Sequence, residues 1–325
     1  MSAAAGNQPV VLVVTGADDV TADLVIAELN RRGTCEVARV NPGDFPHDIT
    51  MSASLDVESG LWRGPLTTPS RMIELAEISS VYWRRPTPHK FPGLDKQDAE
   101  FAKVQAREGF GGVLASLPGC RYVNHPHRNW AAEYKPSQLA VAAELGFAVP
   151  PTLITSDPDA AHAFVRKHAP VIYKPLRVTA LMRDGRPQAM WTQRVEPEDL
   201  DATVAGTAHM FQAEVVGKVA DLRITVVGDR VFCVRIESSD ERLDWRSDYD
   251  TLTYQAVDLP EPLTAKLKEY LRRFGLKFGC FDFGVSDDGT PYFLECNPNG
   301  QWAWMQPPTG LPMTQAFADA LEGTL

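Results

Sequence analysis

Near its C-terminus the chain reads FDFGVSDDGTPYFLECNPNGQW, residues 281–302. Two strand-like runs, FDFGVS and PYFLEC, flank Asp288-Gly289, a strong two-residue turn signal. With Asp288 and Gly289 at the centre of that turn, Asp282 faces Glu295, side chains on one face and about 5 Å apart. Asn297 lies two residues further on and shares the face. Facing carboxylates repel each other unless a cation sits between them. Mg²⁺ takes oxygen ligands and is commonly shared between protein carboxylates and nucleotide phosphates. Asp282, Glu295 and Asn297 are therefore the candidate metal ligands. An exposed acidic pair on an edge strand is the other reading of this spacing. The neighbours Phe281, Phe283, Tyr292 and Phe293 favour a buried hairpin instead. Cys296 points to the opposite face and reads as core.

A metal alone does not hold a triphosphate, so lysines should approach it. Lys174 closes the apolar strand VIYKP, and Lys135 stands in NWAAEYKPSQLA near a helix start, where the helix dipole favours anions. Taken singly, each reads more readily as a solvated surface lysine. An adenine needs backbone hydrogen bonds beside an apolar slot. MFQAEVVGK (210–218) offers an extended strand with Gln212 and Glu214 among apolar neighbours, and DLRITVVG (221–228) places Arg223 on a strand. Arginine suits bidentate contact with phosphate or carboxylate. An ordinary antiparallel sheet with polar residues facing out explains this stretch equally well. In VYWRRP (81–86), Arg84 and Arg85 could reach a peptide carboxylate. Adjacent strand residues point to opposite faces, so at most one of them faces a site. A surface ion pair, worth little, is the alternative for each.

The elements that must position these groups are legible along the chain. VVLVVTG (10–16), a helix over 19–32 with Val20, Leu24, Ile26-Ala27 and Leu29 as its apolar positions, and CEVARV (35–40) form a strand–helix–strand order. That order suggests a parallel βαβ unit. The first turn lacks GxGxxG, so no dinucleotide fingerprint is present. Residues 49–64 read as a hairpin turning at Ser59-Gly60. Residues 95–117 read as a long amphipathic helix broken by Gly109, Gly111 and Gly112. A helix over 129–146, a strand at 150–155, a helix over 158–168 capped by Ser156 or Asp157, and the strand 171–175 make a second small α/β unit. From about residue 188 strands dominate, until a helix over 261–274 stopped by Gly275, the hairpin above, and a last helix near 311–322.

Two lysines, a QAE segment, DLR, then Asp282, Glu295 and Asn297 occur in the order found in ATP-grasp ligases. VYWRRP (81–86), FQAEVVGKVADLRITVVG (211–228), LDWR (243–246) and FLECNPNGQWAW (293–304) closely resemble the ATP-grasp maturases of ribosomal peptides, the graspetide or microviridin-type synthetases. The metal strand and NPN are shared across the superfamily; YWRRP, DWR and NPNGQW are specific to the peptide maturases. The resemblance covers nearly the whole chain. It implies an α/β ATP-grasp fold: a pre-ATP-grasp α/β domain (1–122), a small central α/β domain (123–210) and a C-terminal antiparallel-sheet domain (211–325). It also implies ATP and Mg²⁺ as cofactors. The activity implied is phosphorylation of an Asp or Glu side chain of a precursor peptide, then closure of an ω-ester or ω-amide ring by Ser, Thr or Lys. Under this resemblance Lys135 and Lys174 clamp the phosphates, and Gln212, Glu214 and the backbone near Val215 read the adenine. Arg223 balances charge near the γ-phosphate, and Arg246 of DWR holds the acceptor carboxylate or acyl phosphate.

The partner implied is the precursor peptide, leader and core, with the enzyme as a homodimer. A RimK-like or glutathione-synthetase-like carboxylate–amine ligase shares the ATP chemistry, but YWRRP and DWR count against it. A non-catalytic nucleotide-binding, peptide-recognition module would be expected to lose a ligand, and the set is complete. Among the 325 residues 44% are apolar and 23% charged, and the net charge is −10, which argues against general nucleic-acid binding. No apolar run reaches membrane-spanning length, so no membrane association is expected. The start lacks a basic n-region and is not read as a signal peptide. Five widely spaced cysteines without CxxC suit reduced thiols in the cytoplasm and argue against a zinc site. His125 and His127 are read as loop histidines, and Trp302 and Trp304 as packing residues.

Overall fold

The computed structural model describes residues 8–177, 181–183, 186–188, 192–238 and 252–325. The run VVLVV forms β1 (Val10–Val14), buried at every residue, as a parallel strand covered on both faces must be. Helix α1 (Val20–Arg32) follows. Asp19 caps its first turn and Gly33 stops it in the left-handed region at φ +66°. Its buried face is Ala22, Val25 and Leu29. Val20 and Leu24, expected to be inward, lie on the opposite side and are exposed. Strands β2 (Glu36–Val40), β3 (Ile78–Trp83) and β4 (Arg121–Val123) complete an all-parallel sheet of order β2-β1-β3-β4. The expected hairpin is present: Ser54–Asp56 pairs with Leu61–Arg63 around Gly60 at φ +70°. Helix α2 (Lys96–Ala106) widens at its glycines into a π-helical turn over Arg107–Gly111 rather than breaking.

The helix expected over 129–146 is two helices, α3 (Pro126–Ala132) and α4 (Lys135–Glu144). Pro136 causes the division. It has no N–H to give the carbonyl of Ala132, four residues back. The Gln138 side chain supplies that donor instead, Nε2 to Ala132 O at 2.7 Å. The break makes Lys135 the first residue of α4.

Strand β5 (Thr152–Thr155), helix α5 (Pro158–His168, capped by Asp157), β6 (Val171–Lys174), β7 (Gln193–Val195) and β8 (His209–Ala213) build the middle unit. Its antiparallel sheet has the order β5-β8-β6-β7. The strand carrying Gln212 belongs to this sheet, and the chain leaves it after Ala213. The third unit contains β9 (Lys218–Val227), β10 (Arg230–Ser238), β11 (Leu252–Val257), α6 (Glu261–Phe274), β12 (Phe278–Ser286), β13 (Pro291–Asn297) and α7 (Met313–Glu322). Its antiparallel order is β11-β10-β9-β12-β13.

Interior strand β12 is buried at all its residues. Phe281 and Phe283 join Phe293, Phe147, Tyr270 and Leu271 in a core under α6. On the other face Phe278 and Cys280 join Trp302 and Phe317. That second core also holds Val11, Val13, Leu29 and Tyr82 of the N-terminal unit. Helix α7 thus packs the first and third units together. No helix among the described residues is long and apolar enough to cross a membrane.

Candidate active site

The expected pairing of Asp282 with Glu295 is present, though the turn that sets it differs from the one expected. The loop is Asp287-Asp288-Gly289, three residues, with Ser286 N donating to Thr290 O at 3.1 Å. Gly289 takes φ +85° and donates to Ser286 O at 2.9 Å, a type I turn followed by a left-handed residue. This shifts the register by one residue, so Phe283 faces Phe293. A bulge at Leu294 shifts it back, and Asp282 again faces Glu295.

Asp282 also faces Arg223 across the β9–β12 pair. Arg223, Asp282 and Glu295 therefore stand in one row over three neighbouring strands. Arg223 Nη1 lies 2.8 and 2.7 Å from the two Asp282 oxygens, and both side chains are buried. Lys135, first residue of α4, reaches in from the side and pairs with Glu295 Oε2. Each carboxylate of the row thus has a cation beside it. Asn297 sits beyond Glu295, opposite Cys280, and its Oδ1 accepts the Asn299 N–H at 2.9 Å. This Asx-type bond turns the chain into the 298–302 loop. Gly300 presses that loop onto the row. A Cβ at position 300 would come within 2.4 Å of Cys280 Cβ and 2.9 Å of Arg223 Nη2, so only glycine fits. Cys296 points away into the phenylalanine core, where burial pushes its thiol well above the ordinary value.

Three amides that periodicity does not reveal hold this hairpin end. Gln138 of α4 donates to Cys296 O at 2.8 Å and accepts from Cys296 N at 3.0 Å, closing the free edge of β13 as a further strand would. Asn124 donates to Phe278 O and Pro298 O and accepts from Lys277 N and Phe278 N, which ties the start of β12 to the loop. Asn129 donates to Asn299 Oδ1 at 3.0 Å. His125, read as a loop residue, caps α3 by accepting the His127 N–H, and its Nε2 bonds Ala115 O at 2.9 Å.

In the middle unit, Lys174 ends β6, and Gln212 on β8 faces Ile172 of the same sheet. Gln212 is fully buried. Its Nε2 donates to Thr152 Oγ1 at 2.8 Å, and its Oε1 is buried without a partner among the described residues. Glu214 pairs with Arg194, its backbone N–H is taken by Pro170 O, and Val215 follows in irregular chain. The two arginines after β3 separate as strand alternation requires. Arg84 is buried and paired with Asp19 at 2.8 Å, so it is not open to a peptide carboxylate. Arg85 is exposed beside the loop, 3.4 Å from Asn299 O. Arg246 lies outside the described residues. Trp302 stacks on Phe317 at 4.6 Å and Trp304 packs edge-on to Tyr254, both as packing residues.

A family profile, the MvdD pre-ATP grasp domain, matches residues 10–129. Among solved structures, a RiPP-associated ATP-grasp ligase of Chryseobacterium gregarium, in complex with ADP and a leader and core peptide, is 28% identical. It covers 98% of this chain and 97% of its own, with a TM-score of 0.89. Macrocyclase MdnC of Microcystis aeruginosa MRC, bound with precursor peptide MdnA, is 29% identical over 97% of this chain and 99% of its own, at a TM-score of 0.84. Macrocyclase MdnB of the same organism is 30% identical over 96% of this chain and 99% of its own, at a TM-score of 0.81. The chain belongs to the ATP-grasp ligases that mature ribosomal peptides. No curated protein matches it in sequence.

The donor chemistry fits what an ATP-grasp ligase must hold. Asp282, Glu295 and Asn297 offer oxygens only, which suits a hard cation. Among the described residues no group of three or more His, Cys, Asp or Glu side chains is placed to hold a metal ion. The unpartnered Gln212 Oε1 suits an amino group such as that of adenine.

Proposed function

We propose that this chain is an ATP- and Mg²⁺-dependent peptide ligase acting on a ribosomal precursor. It activates Asp or Glu side-chain carboxylates and closes ω-ester or ω-amide rings onto Ser, Thr or Lys. The carboxylate oxygen displaces ADP from the γ-phosphorus. The hydroxyl or amine then displaces inorganic phosphate from the acyl carbon and gives up its proton, so the peptide loses one water per ring.

The observation that carries this reading is the row Arg223–Asp282–Glu295–Lys135, two carboxylates with a cation beside each. Joining two anions demands positive charge at the site. Asp282, Glu295 and Asn297 would hold Mg²⁺, which would supply positive charge to the transferring group. Lys135 and Lys174 hold the phosphates, and Arg223 keeps Asp282 in place while adding charge beside the γ-phosphate. Gln212, Glu214 and the Val215 backbone receive the adenine. Of the two adjacent arginines, Arg85 holds the acceptor carboxylate, because Arg84 is buried and paired with Asp19. Arg246 shares that task. The leader and core of the precursor are the partner, the working form is a homodimer, and free thiols fit a cytoplasmic setting.

Incubation with the precursor peptide, ATP and Mg²⁺ should give mass losses of one water per crosslink. Glu295→Gln should keep the fold and lose turnover. No water loss, with ADP released only when a free amino acid is added, would instead identify a carboxylate–amine ligase.

A further inference from the structure

Asp19 and Arg84 stand in the N-terminal unit, outside the phosphate and metal chemistry described above. Both are buried. Asp19 Oδ1 caps α1 through Ala22 N, and Oδ2 accepts from Thr15 Oγ1 at 2.7 Å. Burial pushes the Asp19 carboxyl up, but the Arg84 guanidinium, Thr15 and the Ala22 N–H outweigh it and hold it below the usual carboxylate range. A buried arginine needs such a partner. Arg84 spends Nε on Asp19 Oδ2 at 2.8 Å and turns Nη2 to Gln301 Oε1 at 2.9 Å. Thr21, on the first turn of α1, donates to the same Gln301 oxygen at 2.5 Å. A single oxygen of Gln301 thus collects two donors from the N-terminal unit. The Gln301 backbone carbonyl accepts Arg223 Nη2 at 3.0 Å, and Arg223 grips Asp282.

These contacts form one unbroken chain: Asp19, Arg84, Gln301, Arg223, Asp282. Its middle link lies in the 298–302 loop, outside any strand ladder, so side-chain contacts fix its position. Arginine suits this relay, since its planar fork binds two partners at a fixed mutual angle.

We propose that Asp19, Thr21, Arg84 and Gln301 are positioning residues. Through them the pre-ATP-grasp unit sets the spacing of the Asp282, Glu295 and Asn297 oxygens, and with it the affinity of the ligase for its divalent cation. The proposal rests on the metal assignment made above, and it goes further by placing control of that site in a unit that contributes no ligand.

The test is calorimetric titration of ADP into the full-length protein across a series of Mg²⁺ concentrations, with the melting temperature measured alongside. Gln301→Leu should raise the half-saturating Mg²⁺ concentration about five-fold or more, the lower end of usual coupling strengths. Amide hydrogen exchange over residues 297–302 should quicken in the same variant. Thr21→Val should shift the midpoint in the same direction, and Thr21→Ser, which keeps the hydroxyl, should restore it. Glu295→Gln separates the two claims. A wild-type Mg²⁺ midpoint in Glu295→Gln overturns the metal assignment and this proposal together. Loss of the Mg²⁺ response in Glu295→Gln, with wild-type midpoints in Gln301→Leu and Thr21→Val, overturns the positioning role alone. A lower melting temperature with an unchanged midpoint has that same meaning. Should Gln301→Leu fail to fold, the Thr21 pair decides: a wild-type midpoint in Thr21→Val refutes the role.

Discussion

Replacing Arg223 by methionine keeps most of the apolar stem and deletes the guanidinium. Asp282, whose side chain is 6% exposed, then loses its only described arginine partner. Its carboxylate faces Glu295 directly across the β12–β13 pair. That repulsion, about 3 kcal/mol for unit charges about 5 Å apart at an effective dielectric constant near 20, is then no longer offset by the guanidinium. The Gln301 carbonyl also loses a donor, worth about 1 kcal/mol. Lys135 on Glu295 offsets part of the repulsion. The sum agrees with the roughly 3–5 kcal/mol usual for removing one partner of a buried pair. We expect a loss of about that size in urea unfolding with chelator present, seen as a lower midpoint at unchanged slope. Adding Asp282→Asn to the same chain removes the stranded charge and should recover at least half of the loss. A single variant within about 1 kcal/mol of wild type, or a double variant no more stable than the single, would refute the charge argument.

Two further outcomes follow from local geometry. Gly300→Ala puts a methyl within 2.4 Å of Cys280 Cβ, so the loop must lift, and urea unfolding should show a loss of about 1–3 kcal/mol. For His125, burial first and then the nearby His127 and Arg128 hold the ring pKa below its ordinary 6.5, although the Ala115 carbonyl raises it. The unfolded chain therefore takes up the proton first as pH falls through about 6.5, and stability declines from there until the folded ring protonates. His125→Asn keeps an N-cap acceptor and does not titrate. Its melting temperature should fall less than that of wild type between neutral pH and about pH 5.5.

Much of the candidate site's geometry was legible because its signals are local. A carboxylate and an amide two residues apart on a strand share a face whatever surrounds them. Asp282 and Glu295 were expected to face each other from a two-residue turn, and they do so through a three-residue turn and a bulge that cancel. The outcome matched while the route did not, because a bulge at Leu294 leaves no mark in an apolar run. Gly33 and Gly275 were readable as stops, since both take the left-handed conformation that glycine alone adopts freely. Gln138, Asn124 and Asn129 were not readable. Each is a lone amide whose worth depends on unpaired backbone groups elsewhere.

The sequence by itself determined the order of elements, the oxygen-rich face of the hairpin and the resemblance to peptide-maturing ATP-grasp ligases. Those properties are written in residue type and short spacing, which period-two alternation and backbone sterics convert directly into structure. Only the tertiary structure decided which of two adjacent arginines is spent and which is open. Arg84 finds Asp19 at 65 residues' separation and Gln301 at 217, and no local pattern encodes a partner that distant. A buried charge must be neutralised wherever the fold brings a counter-charge, so its role is fixed by packing rather than by its neighbours in the chain.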